Sequence, residues 1–205
     1  MIHKLYWLGG SPCSGKSTIA EALATQYDLT YFSCDNRLWD HVATGDPNLQ
    51  PTLARLHTMS SDEIWLEPVA AQVDRVFAID REEFPLLLAD LQALATDHPI
   101  LAEGAALMPE LVMQNAVWRT RAAWVVPTPS FQRHYYERRA WVADALKACS
   151  DPAQAFANWM ARDEAFAAYI TQTATAAGLP LLTVDGSHTI VDNTTWVATQ
   201  LGLTN

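Results

Sequence analysis

The chain is poor in residues that mark special architectures. Its 205 residues include only three cysteines and eight glycines. Cys13, Cys34 and Cys149 have no metal-ligand spacing, and reduced thiols are the expectation. No apolar run approaches the roughly 20 residues of a membrane span. The start, Met1-Ile2-His3-Lys4, runs straight into a strand pattern and lacks the layout of a signal peptide. A cytoplasmic protein with no membrane partner is therefore expected. Basic residues are scarce as well, 13 against 23 acidic ones, and the net charge of −10 argues against a nucleic-acid surface. There is no internal repeat, low-complexity tract or linker. What remains is a globular chain, half hydrophobic and 18% charged, long enough for one domain with a real core.

One stretch organises this chain. Gly10-Ser11-Pro12-Cys13-Ser14-Gly15-Lys16-Ser17 fits the phosphate-loop pattern G-x-x-x-x-G-K-[ST] at every fixed position. The apolar run Leu5-Tyr6-Trp7-Leu8 feeds it, and a helical pattern with Ile19, Leu23 and Tyr27 on one face leaves it. Gly10 and Gly15 allow the backbone to wrap a phosphate with its N–H groups turned inward. The next helix adds its positive end. Lys16 is then placed for the β- and γ-phosphates and the Ser17 hydroxyl for Mg²⁺. The motif points to a nucleoside triphosphate.

Downstream, Leu29–Ser33 reads as a second strand, Pro99–Ala102 as a third, Ala122–Val126 as a fourth and Leu181–Val184 as a fifth. Turn residues make 45–51 a loop. Residues 60–96 read as a helical pair: Val69, Val73, Val76 and Phe77 share one face, and Phe84, Leu87, Leu88, Leu91 and Leu94 a second, with Pro68 kinking or restarting the helix. Ser130 is the expected cap of a helix with Phe131, Tyr135, Arg138 and Val142 on one stripe. Asp151-Pro152-Ala153-Gln154 starts a helix running to Gly178, with Phe156, Trp159, Phe166, Tyr169 and Thr173 inward. A last helix carries Ile190, Val191 and Val197. Alternating strands and helices, with strands apolar on both faces, imply a covered parallel sheet whose ligands bind beyond the carboxyl ends of the strands.

That rule gives the acids their meaning. Asp35 follows strand two, where it caps a helix, or hydrogen-bonds an acceptor hydroxyl and takes its proton, or touches Mg²⁺. Glu103, with Gly104, ends strand three, where a carboxylate holds Mg²⁺ or contacts substrate, the bland alternative being a strand-ending turn. Asp185-Gly186 is read as a turn beside the nucleotide base, with no catalytic role. Five basic residues between Arg119 and Arg139 face only Glu137, a local excess that suits a phosphate clamp or a solvated helix face. If Phe131 and Tyr135 pack inward, Arg138 points inward and needs an anion. Arg133 and Arg139 lie on neighbouring faces. Arg162 either completes the clamp or makes a surface ion pair. Among eight tryptophans, Trp39, Trp65, Trp118, Trp141 and Trp159 fall outside the strands, as core or as pocket lining.

In this order the residues resemble the small P-loop kinases, which include adenylate, shikimate and gluconate kinases and antibiotic phosphotransferases of the chloramphenicol type. Glu103-Gly104-Ala105-Ala106-Leu107-Met108-Pro109 resembles the Asp-Gly segment of adenylate kinases but lacks the Pro-Arg that follows there, which speaks against a nucleoside monophosphate acceptor. The resemblance implies an α/β three-layer sandwich with a five-stranded parallel sheet, of the nucleotide-kinase type. One domain would span residues 1–205, with a helical acceptor-binding insert at about 36–96 and a lid at about 128–150. It implies ATP and Mg²⁺ as cofactors. Gly10, Ser11, Pro12, Cys13, Ser14, Gly15, Lys16, Ser17 and Thr18 would hold the nucleotide with Arg133 and Arg139. Ser17 and Glu103 would hold the metal, and Lys16, Asp35 and Arg138 would carry catalysis. The expected partner is a small-molecule acceptor bound within residues 36–80, to a monomer or homodimer. A nucleotide switch or ATPase, and a toxin-like kinase acting on a nucleotide sugar, share the same parts. Neither N-K-x-D nor L-S-G-G-Q, the marks of two such nucleotide hydrolases, is in the sequence.

Overall fold

Alternate residues of the first strand serve two different cores. In β1 (Leu5–Gly10), Leu5 and Trp7 are buried on one side of the sheet and Tyr6 and Leu8 on the other. Strands apolar on both faces demand cover on both, and the computed structural model, which describes residues 4–203, supplies it. Met1, Ile2 and His3, read as the lead-in to this strand, lie outside the described residues, as do residues 204–205.

The chain runs from β1 through α1 (Lys16–Gln26) to β2 (Thr30–Ser33), then a 3₁₀ turn at Asp35–Arg37. Next come α2 (Leu38–Thr44), α3 (Pro51–Leu56), α4 (Ser61–Trp65) and α5 (Val69–Ala93). It continues with β3 (Ile100–Glu103), α6 (Pro109–Val112), α7 (Ala116–Arg119) and β4 (Ala122–Pro127). The last third holds α8 (Pro129–Tyr136), α9 (Ala140–Leu146), α10 (Pro152–Ala176), β5 (Leu181–Val184) and α11 (Ile190–Leu201). The five strands form one parallel sheet in the order β2-β3-β1-β4-β5. Helices α1 and α11 share one core with the sheet, and α5 and α10 the other. This is the α/β fold that the strand pattern implies.

Three local readings change. The two apolar faces lie on one continuous 25-residue helix, Val69–Ala93, not on a pair, and Leu94 falls just past its end. Pro68 does restart the chain there, but Pro85 is carried inside the helix on its exposed side, where the carbonyl it leaves unbonded stays in water. Residues 38–44 and 51–56 are also helical, around a small core of Val42, Leu53 and Ile79. Only Gly45–Gln50 between them is loop.

The helix after β4 is the third. Its cap is Thr128, not Ser130: the Thr128 hydroxyl accepts from Phe131 N, and Pro129 fills the first helical position. The helix stops at Tyr136, so Arg138 and Val142 do not continue its stripe. Gln132 and Tyr136 are the buried pair, while Tyr135 and Arg138 are exposed. The expected inward turn of Arg138 is therefore not formed.

Candidate active site

The phosphate loop takes its shape from backbone constraints. Gly10 (φ 129°) and Gly15 (φ 84°) occupy the positive-φ region that favours glycine, and Cys13 joins them at φ 61°. A side chain on Gly10 would run into the backbone of Val125, 1.9 Å from its carbonyl oxygen. From this loop Lys16 is buried at 5% exposure, its ammonium donating to Ser11 O at 2.9 Å. Ser14 is buried too, and its hydroxyl has no partner among the described residues. A buried donor left free in a phosphate loop fits a phosphate oxygen. Ser17 and Thr18 are exposed at the start of α1.

Strand parity explains the carboxylate beside the lysine. Ile100 and Ala102 face the α5–α10 core, so Leu101 and Glu103 face α1. Glu103 is 1% exposed, with Oε1 3.9 Å from Lys16 Nζ, and its Oε2 accepts from Tyr31 OH at 3.0 Å. Burial pushes its carboxyl above the ordinary value. The Lys16 charge and the hydroxyls of Tyr31 and Ser17 offset part of that, while Asp35 adds to it. Oε1 has no hydrogen-bond partner among the described residues. An unpartnered carboxylate oxygen next to a serine hydroxyl, at a triphosphate loop, fits a hard divalent cation. Among the described residues no group of three or more His, Cys, Asp and Glu is placed to hold a metal by itself. Ser17 and Glu103 fit Mg²⁺ only in company with phosphate oxygens.

Asp35 leads the 3₁₀ turn after β2 and is exposed. It caps no helix: its Oδ1 accepts instead from Ala105 N at 3.0 Å, across the end of β3. Gly104 makes that approach possible, since a Cβ there would lie 2.6 Å from Cys34 Cβ and 2.9 Å from Asp35 Oδ1. The sequence thus placed Asp35, Glu103, Lys16 and Ser17 at one end of the sheet, and the structure brings them together.

The basic residues divide. Arg133, Arg138 and Arg139 are all exposed. Arg133 lies over the Phe156 ring and Arg139 over those of Tyr136 and Trp141. Arg139 stands near enough to the loop to pull down the Cys13 thiol, which burial pushes up to about 11. Arg162 is neither a free clamp nor a surface pair: largely buried, it lies over the Trp65 and Trp159 rings and pairs with Asp163 at 2.7 Å. Phe131 and Tyr135, with rings 4.5 Å apart, line a cleft with Ser130, His134, Asp185 and Gly186. Ile190, at the start of α11 four residues after Gly186, approaches the Cβ position of Gly15 at 3.5 Å.

Four buried groups were not singled out from sequence. Asp163 accepts from Tyr136 OH, Trp159 Nε1 and Arg162 Nε, and its backbone carbonyl from Ser11 Oγ at 3.4 Å. Glu83 bonds His41 Nδ1 at 2.9 Å, and His41 Nε2 meets Asp90 at 3.1 Å. Asp80 lies beside them on α5. A signal existed: Asp80 and Asp163 each interrupt an apolar stripe, between Phe77 and Phe84 and between Trp159 and Phe166.

No family model and no curated protein sequence matches the chain. Solved structures do. The chain is similar to TT1252 of Thermus thermophilus at 13% identity and TM-score 0.52, covering 100% of both chains. It is similar to a gluconokinase of Sinorhizobium meliloti at 14% identity and TM-score 0.47, over 98% of this chain and 92% of that one. A shikimate kinase of Aquifex aeolicus follows at 12% identity and TM-score 0.38, over 97% and 96%. Likeness at this identity is likeness of fold. A phosphate loop after the first strand, five parallel strands in the order β2-β3-β1-β4-β5 and helices on both faces give this chain an α/β fold of the nucleotide-kinase type.

Proposed function

We propose that the protein is an ATP-dependent phosphotransferase that moves the γ-phosphate of ATP-Mg²⁺ to a hydroxyl of a small molecule. The observation that carries this reading is the Asp35 carboxylate, held by Ala105 N at the strand ends beside Lys16 and Glu103. A carboxylate in that place has the chemistry to receive a proton from an alcohol.

Phosphoryl transfer needs positioning and charge neutralisation more than covalent help. The loop amides, Ser14 Oγ and Lys16 hold the phosphates. Ser17 and Glu103 would hold Mg²⁺, which would supply positive charge to the phosphate oxygens. The acceptor oxygen bonds to the γ-phosphorus as the bond to the β–γ bridging oxygen breaks. ADP leaves with that electron pair, and the hydroxyl proton passes to Asp35. Phe131 and Tyr135 offer the base a stacking surface in the cleft beside Asp185-Gly186. Of the lid arginines, Arg139 is the one whose charge reaches the loop at Cys13, so Arg139 rather than Arg138 is assigned to closing over the phosphates. Closure excludes water, the competing acceptor.

The test is transfer of labelled γ-phosphate from ATP-Mg²⁺ to a pool of hydroxyl compounds. A phosphorylated product, with only slow ATP hydrolysis in the absence of acceptor, is expected. Acceptor-independent hydrolysis as fast as the best transfer would mark a nucleotide hydrolase or switch instead.

A further inference from the structure

The buried stripe of α5 changes character where the sheet stops. Phe84, Leu87 and Leu91 are buried in the core beneath the strands, and the Phe84 ring lies 6.1 Å from that of Trp7. The chain leaves α5 for the amino end of β3, so the N-terminal half of the helix stands at the carboxyl ends of the strands. One turn from Phe84 toward those ends, an advance of about 6 Å, the stripe presents Asp80. Trp7 is two residues short of Gly9, so Asp80 stands level with the strand ends, where Asp35 and Gly104 lie.

Asp80 is 6% exposed, and its Oδ2 has no hydrogen-bond partner among the described residues. Its acidic neighbours are engaged: Glu83 with His41, and Asp35 through one oxygen with Ala105. The nearest positive charges are engaged as well, Arg162 with Asp163 at 2.7 Å and Arg81 with Glu110 at 3.1 Å. Burial, followed by the charges of Glu83 and Asp35, pushes the Asp80 carboxyl well above its usual range. Keeping a polar oxygen buried and unbonded costs stability, and an incoming hydrogen-bond donor relieves that cost.

We infer that Asp80 determines acceptor specificity, and that the acceptor is an alcohol with a second donor, hydroxyl or ammonium, for Asp80 and with no anionic group. This rests on the kinase reading of the same site. The carboxylates of Glu83 and Asp35 neighbour Asp80 and the two arginines in range are already paired, so a carboxylate or phosphate on the acceptor finds no free cation there and meets repulsion without compensation.

The experiment uses the wild-type protein with labelled ATP-Mg²⁺ and a panel of sugars, amino sugars, aldonic acids and sugar phosphates. Uncharged and amino-bearing alcohols are expected to exceed their anionic counterparts in kcat/KM by about ten-fold or more. Preference for the anionic members overturns the inference and leaves the kinase reading standing. Transfer to no member overturns both. On the best acceptor, Asp80→Asn is expected to raise the acceptor KM about ten-fold while kcat and ATP affinity hold. Asp80→Ser, smaller and uncharged, is expected to do the same. An unchanged acceptor KM in both variants, or a loss confined to kcat or ATP affinity, overturns the role of Asp80.

Discussion

The Tyr136 hydroxyl donates to Asp163 Oδ2 at 2.7 Å, joining α8 to α10. Asp163 also accepts Trp159 Nε1 and Arg162 Nε, and its main-chain carbonyl takes the Ser11 hydroxyl. One residue therefore connects α8, the tryptophan–arginine stack and the phosphate loop. Tyr136→Phe keeps the ring and removes one donor from a buried carboxylate. A loss of about 1–2 kcal/mol is expected, read in calorimetry as a melting point lower by about 2–8 °C. An unchanged melting point would show that the bond contributes nothing.

Lys16→Met removes the ammonium that sits between Ser11 O and Glu103. Phosphate transfer is expected to fall by about a hundred- to a thousand-fold or more, with ATP binding weakened. Transfer kinetics and a nucleotide titration check both parts.

Asp35→Asn retains an oxygen for Ala105 N but cannot take a proton. We expect kcat to drop by about 10²–10⁴-fold, with affinity for a non-hydrolysable ATP analogue unchanged. Transfer at the parental rate would remove Asp35 from its assigned role.

Gly104→Ala tests the close approach at the end of β3. The new methyl must displace Cys34 Cβ or the Asp35 carboxylate, at 2.6 and 2.9 Å. The Cys34 side chain, buried in the core, yields poorly, so both stability and kcat fall, and the kcat loss exceeds what a lowered melting point explains at the assay temperature.

Asp80→Asn should raise stability, with a defined pH dependence. The folded chain holds the Asp80 proton more tightly than the unfolded chain does, because of burial and of Glu83 and Asp35, against Arg162 and Arg81. Stability present below the ordinary carboxylate range is thus lost as pH rises through that range toward the raised value. The variant carries no such group. Its melting point should exceed the parent's at pH 8, and the difference should shrink at pH 5. An advantage that grows toward low pH would contradict the sign.

The order of strands and helices was legible because its signals are local. Leu5–Gly10 is apolar on both faces, Asp151-Pro152 caps a helix, and Gly15 needs positive φ. The lid was not. Its phase was read from Phe131 and Tyr135, yet Gln132 and Tyr136 are buried, because Met160 and Asp163 on α10 offer them hydrogen bonds. A partner 27 residues away has no trace in the local pattern.

By itself, then, the sequence determined the phosphate loop, the parallel sheet and the acids at the strand ends. Each depends on near neighbours, on strand alternation or on backbone conformations open to glycine. Only the tertiary structure decided that Glu103 faces Lys16, that Arg162 is consumed by Asp163 and that Asp80 stays buried without a partner. Those outcomes depend on which helix faces meet across the core, and packing between distant elements makes that choice.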